Sequence, residues 1–176
     1  MSGAFGADGS HDRVRVLLGQ QLGVDSHHIH AYVLGEHGDS EVLTWSIVGV
    51  GGIPLDAFLQ RSGVTLDAAK RQEIDHNVRR AAYHIIDGKG ATYYGIGSAL
   101  ARIVDVILHD QRSIMSVCAP MDEIVGVKDV TIAMPRMVQG SGVGEVLPVT
   151  LNEEETRRLA ESARVVKEAI ESLKKD

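Results

Sequence analysis

Apolar residues fall at helical spacing in some stretches of the chain and in short alternating or continuous runs in others. Val14, Leu17, Leu18 and Leu22 predict a helix over 12–22. The runs AYVL (31–34) and VLTW (42–45) flank the polar cluster GEHGDS (35–40) and predict two short strands around a tight loop. A break at Gly49–Pro54 leads into a short helix near 55–60. Ile74, Val78, Ala81 and Ile85 share one face, with Leu66 and Ile86 at its edges. They predict one amphipathic helix over 66–87, ending near Gly88. Ile96, Leu100, Ile103, Val104 and Ile107 predict another over about 91–108. From Ser113 the period changes. SIMSVCA, VTIAMPRMV and GEVLPVTL read as strands, with Gly140-Ser141-Gly142 turning between the last two. Pro135 suggests an edge position or a bulge. A final helix opens at Asn152 with Glu155 completing a capping box. Leu159, Val166, Ile170 and Leu173 mark its inner face, and Lys174 and Lys175 suit its C-terminal dipole. Helix, hairpin, helices, sheet and helix in that order make an α+β chain, not an alternating βαβ one.

The N-terminal stretch MSGAFGADGS is small and glycine-rich and reads as a tail, a linker or a leftover of cloning, so the domain is expected over 12–176 and residues 1–11 outside it. With 176 residues and 44% hydrophobic content, one domain buries a core without disulfides. The net charge of −6 is spread along the chain with no basic stripe, which argues against a nucleic-acid partner. No apolar run has the ~20 residues a membrane helix needs. The N-terminus has neither the basic start nor the apolar segment of a signal peptide. The single cysteine, Cys118, has no activating base among its sequence neighbours and reads as a packed thiol. A soluble cytoplasmic protein is the expectation.

Familiar cofactor motifs do not assemble. Gly88-Lys89-Gly90-Ala91-Thr92-Tyr93 starts like a dinucleotide-binding G-x-G-x-x-G, but Tyr93 stands at the third glycine and a helix precedes it. His27, His28 and His30 crowd together, yet neighbouring strand residues point to opposite sides and no cysteine completes a zinc-ligand spacing, so no metal is expected. What stands out is His37. Gly35 and Gly38 flank it in a loop at a strand's end, a good mount for a reactive side chain. The plain alternative is an exposed turn with an incidental histidine.

Three stretches weigh against that alternative. HAYVLGEHGDSEVLTWS resembles the catalytic-loop segment of the L-lactate and malate dehydrogenase superfamily. DRVRVLLGQQLGV resembles the helix before it, and GKGATYYGIGSALARIVDVIL the helix closing over the active site in bacterial lactate dehydrogenases. The resemblance covers the C-terminal, substrate-binding half of such enzymes. It implies twisted antiparallel strands packed with long helices, and no Rossmann domain in this chain.

The resemblance assigns roles by position. His37 matches the catalytic histidine that passes a proton to or from the substrate oxygen, work suited to imidazole's near-neutral pKa. Arg13 matches the arginine gripping the substrate carboxylate through two parallel donors. Thr92 matches the small hydroxyl residue beside the reacting carbon, and Ile96 an apolar contact to the nicotinamide of NAD. Arg15 and His30 match the pair that binds fructose 1,6-bisphosphate between subunits of allosteric homo-oligomers. The implied substrate is a small acid of the pyruvate/lactate type, with Thr92 favouring lactate over malate. One position departs. The family's aspartate three residues before the arginine, which orients the histidine, is Ser10 here. Asp12 or Asp8 could stand in, or the aspartate lay in a missing piece. Without a dinucleotide-binding domain the chain is expected to be inactive alone. The competing expectation is a non-catalytic assembly or effector-binding module.

Overall fold

The computed structural model describes residues 3–173, with side chains from residue 10 onward. Helix α1 (Gly3–Leu22) starts well before the predicted residue 12. Its inner face places Val14, Leu18 and Leu22 at 5% exposure or less, and burying such side chains stabilises by about 1.5–3 kcal/mol each. Beside α1 lie short strands in two small antiparallel sheets. One pairs β1 (Ile29–His30), β4 (Gly49–Val50) and β5 (Ile53–Pro54). The other pairs β2 (Val33–Leu34) with β3 (Val42–Leu43) around the GEHGDS loop, as the apolar runs predict. Helices α2 (Leu55–Ser62) and α3 (Ala68–Arg79) complete this half. Leu18, Ile29, Val33, Leu43 and Ile74 share its core.

The single helix expected over 66–87 is two, α3 and α4 (Ala81–Lys89), joined at Arg80. The Arg80 N–H is shared between the carbonyls of His76 and Val78, which tightens the turn and ends the regular ladder. Gly90 closes α4 in the left-handed region at φ 83°. Helix α5 (Tyr94–Leu108) begins later than predicted and turns Ala99, Ile103 and Val106 inward. Ile96, Leu100 and Val104, read from the sequence as part of its register, face outward with Leu108.

The main sheet is antiparallel, in the order β6 (Ser113–Ile124), β7 (Val127–Gln139), β8 (Gly142–Val146). Pro135 therefore lies in the middle strand, not at an edge. It pairs with Ser116 of β6 and accepts from the Leu147 N–H at 2.8 Å, and the strand's register shift lies beside it, between Arg136 and Val138, not at the proline itself. Helix α6 (Glu153–Ser172) carries the predicted capping box: Asn152 accepts from the Glu155 N–H at 2.8 Å, and Glu155 accepts from the Asn152 N–H at 3.2 Å. Leu159, Ala160, Ser162 and Ala163 are its buried positions besides Glu155, whereas Leu173 is 79% exposed. Lys174 and Lys175 lie outside the described residues. Leu159 and Ala163 pack with Leu34, Val42 and Ile132 in a second core. The GEHGDS loop thus hangs between two cores, one under α1 and one under α6. Among the described residues no helix is long and apolar enough to cross a membrane.

Candidate active site

The GEHGDS loop is fixed from outside itself. Gly35 exchanges both backbone hydrogen bonds with Ala133 of β7, at 3.0 and 3.2 Å. The Glu36 N–H donates to Ser162 Oγ of α6 at 2.7 Å. Gly35 has φ 96°, and a side chain there would run into Ser162, so two constraints demand glycine. Glu36 folds over the loop and accepts from the Ser40 N–H and hydroxyl. From the far side, Arg79 of α3 donates to the Asp39 carbonyl at 2.6 Å while its other nitrogens hold Asp75. The loop is therefore tied to β7, α6 and α3, leaving His37 at its tip.

His37 lines a cavity of about 460 Å³, and so do Arg13, Thr92 and Ile96. Positions from three distant stretches of the sequence meet in one hollow. Arg13 enters from α1, Thr92 from the α4–α5 connection and Ile96 from the first turns of α5. Ser10, one helical turn before Arg13, lies on the same face of α1 and lines the same cavity. Partial desolvation holds the His37 pKa below its ordinary value, with the Glu36 charge acting in the opposite direction.

Glu41 is the residue that sequence reasoning missed. It lines this cavity, is 2% exposed, and accepts from the Ser10 hydroxyl at 3.0 Å through Oε2, while its Oε1 is buried without a hydrogen-bond partner. Burial pushes its pKa up to about 7, against the pull of the Ser10 bond and the Arg79 charge. A signal was present: Glu41 stands two residues before Leu43, so a strand there puts both on one face.

Asp12 does not stand in for the orienting aspartate. It pairs with Arg15 at 3.3 Å and opens into a different cavity, of about 580 Å³, that also holds His11, Arg102 and Ser113. The Asp8 side chain lies outside those described. Arg15 also donates to the Ser26 carbonyl at 3.2 Å. His11 is pushed down to about 4, first by burial and then by the Arg15 and His30 charges, so these three groups form one neighbourhood. His30 itself is exposed on β1. Cys118 is half-buried and burial raises its thiol pKa. Among the described residues no group of three or more histidine, cysteine or carboxylate side chains could hold a metal.

This loop, helix and cavity arrangement coincides with a sequence match. The profile of the lactate/malate dehydrogenase alpha/beta C-terminal domain covers residues 10–176. The chain belongs to that family. An L-lactate dehydrogenase of Geotalea daltonii is 58% identical over 161 residues, which are 92% of this chain and 51% of that protein. One from Thermus aquaticus is 49% identical, again over 92% of this chain and 52% of the relative. A lactate dehydrogenase from a Medee basin deep-sea metagenome library superposes with a TM-score of 0.89 at 33% identity, covering 97% of this chain and 53% of that one. The lactate dehydrogenase of Cryptosporidium parvum, complexed with lactic acid and nicotinamide adenine dinucleotide, gives 0.88 at 27% identity over 97% of this chain and 54% of its own. The chain spans about half the length of the relatives it matches, and it is the family's C-terminal domain that it holds.

Proposed function

We propose that this chain is the substrate-binding and proton-transfer half of an NAD-dependent L-lactate dehydrogenase. The observation that carries the reading is the shared cavity of His37 and Arg13. Arg13 clasps the carboxylate of a small 2-oxo or 2-hydroxy acid and fixes its orientation. His37 then faces the adjacent oxygen. In oxidation of the hydroxy acid it accepts the hydroxyl proton, and its lowered pKa keeps the free ring neutral for that task. In reduction it donates the proton to the carbonyl oxygen. Thr92 flanks the reacting carbon.

The residues fit the nicotinamide end of the cofactor: Ile96 is an apolar side chain, 36% exposed, in the cavity wall. NAD, when bound, supplies or removes the hydride at the carbon. Its phosphates need a cradle from elsewhere, since Gly88 to Gly90 close α4 and do not follow a strand. The chain by itself is therefore inactive or nearly so. Two assays test this. Purified chain mixed with NADH and pyruvate gives no ordinary turnover. Fused behind the N-terminal half of the Geotalea daltonii relative, it oxidises NADH with pyruvate in preference to oxaloacetate. A fusion that folds, binds NADH and turns over neither acid would overturn the reading.

The second cavity favours a companion role. Arg15 and Arg102 line it, and the charges of Arg15 and His30 both lower the His11 pKa, a setting suited to a phosphorylated effector of the fructose 1,6-bisphosphate type. The outward stripe Leu100, Val104 and Leu108 suits a homo-oligomer. Size-exclusion mass of the fusion with and without fructose 1,6-bisphosphate checks both. An unchanged monomer rejects them.

A further inference from the structure

The reaction cavity contains a carboxyl that the mechanism above does not use. Glu41 is buried by loop, helix and sheet, with one oxygen on the Ser10 hydroxyl and the other unpartnered. A buried carboxyl is expensive for a fold to keep. The Glu41 backbone is held on both sides. Its N–H donates to the Gly38 carbonyl at 3.2 Å, its own carbonyl accepts from Arg158 of α6 at 3.4 Å, and Val42 behind it is fully buried. Ser10 occupies the position where the family resemblance places the aspartate that orients the histidine, and its hydroxyl is already turned to Glu41.

We propose that Glu41, held by Ser10, is the positioning acid of His37, supplying from the cavity wall the negative charge that the residue at position 10 lacks. The inference rests on His37 being the proton carrier proposed above. Glu41 lies four residues after His37 in one short loop, and both line the same hollow, the carboxyl buried in its wall and the imidazole exposed. With Glu41 ionised, a proton on His37 is favoured. With Glu41 protonated, that support is withdrawn. Burial is the largest cause of both shifts, downward for the imidazole and upward to about 7 for the carboxyl. The charged groups acting on Glu41 are Arg79 and Asp75 from α3 and Glu36 from the loop. The two carboxylates work against its ionisation and the guanidinium for it.

The test is an NMR titration of the purified chain, following the His37 ring, assigned with His37→Gln, and the Glu41 side-chain carboxyl carbon. In the unmodified chain the His37 ring shows a second inflection at the pH where Glu41 titrates. Glu41→Gln lowers the His37 proton-binding constant about threefold or more, that is by about half a pKa unit. Ser10→Asp in the Glu41→Gln background restores it. A single His37 inflection, or a His37 pKa unmoved in folded Glu41→Gln, overturns the proposal. If Glu41→Gln does not fold, the titration of the unmodified chain decides alone. These measurements read coupling without turnover. A coupled pair in a fusion that fails to reduce pyruvate would sink the functional reading and leave the dyad standing.

Discussion

Helix α1 serves two cavities, and they use its residues differently. Ser10 and Arg13, three apart, face the hollow of His37. His11, Asp12, Arg15 and Val16 face the other way, into the cavity bounded by Arg102 and Ser113. In the first, the strongly perturbed group is an acid pushed up to about 7, and in the second it is a base pushed down to about 4. Desolvation is the largest cause in both. Burial strips charge whatever its sign, so each side of one helix stores a group that water would ionise at neutral or mildly acid pH. The difference lies in the partners. Glu41 has a hydroxyl donor, while the buried Nδ1 of His11 has none and its ring leans on Tyr32 at 5.3 Å between centroids.

The largest effect that separates the two cavities is on catalysis. In the fusion enzyme, His37→Gln reduces kcat with pyruvate by roughly a thousandfold, whereas His11→Phe, across the helix, leaves kcat within about threefold of the unmodified fusion, well short of a general acid–base loss. Steady-state kinetics on both variants checks this, and equal losses would erase the division. Next comes the mount of the loop. Gly35→Ala combines a strained positive φ with overpacking against Ser162. It destabilises the chain by about 3 kcal/mol, measured by urea unfolding.

The two titrations should show as opposed pH slopes. The Glu41 pKa is raised from 4.5 in the unfolded chain, so its contribution is complete below pH 4.5 and is lost as pH rises toward 7. The His11 pKa is lowered from 6.5, so stability is complete above pH 6.5 and falls as pH drops toward 4. Each is worth about 3 kcal/mol across its window. Between pH 4.5 and 6.5 they oppose each other, and the unmodified chain has a nearly flat profile there. Glu41→Gln leaves only the rising slope and is the more stable protein above pH 7. His11→Phe leaves only the falling one. Urea midpoints at four pH values settle it, and parallel profiles for the two variants would refute it. The smallest expected effect is Arg15→Ala. It abolishes any mass change caused by fructose 1,6-bisphosphate and shifts the urea midpoint least, since its pair with the exposed Asp12 contributes about 0–1 kcal/mol.

Much of this architecture was legible before any coordinates. The capping box at Asn152 and Glu155, the glycine-framed loop and the long antiparallel strands each carry a local signal strong enough to survive packing. The rest depended on partners that local pattern does not name. Nothing in Arg79-Arg80-Ala81 announces a break, because the shared N–H of Arg80 arises from the tertiary bend. The outward stripe of α5 has the same period as a buried one. Periodicity places residues on a face but does not say what covers it. Leu173 failed for a related reason: it falls where α6 has run past its core. Glu41 was hidden by its type, since a glutamate beside Asp39 and Ser40 reads as loop polarity until the strand behind it is seen.

The bond from Glu36 to Ser162 joins residues 126 apart in sequence. During synthesis, then, the ribosome releases the histidine-bearing turn long before it makes the serine that anchors it. A premature stop codon between Ile96 and α6 yields a nascent chain with every residue of the reaction hollow in place in sequence and its α6 scaffold absent. Such a product would be prey for proteases rather than a weak catalyst.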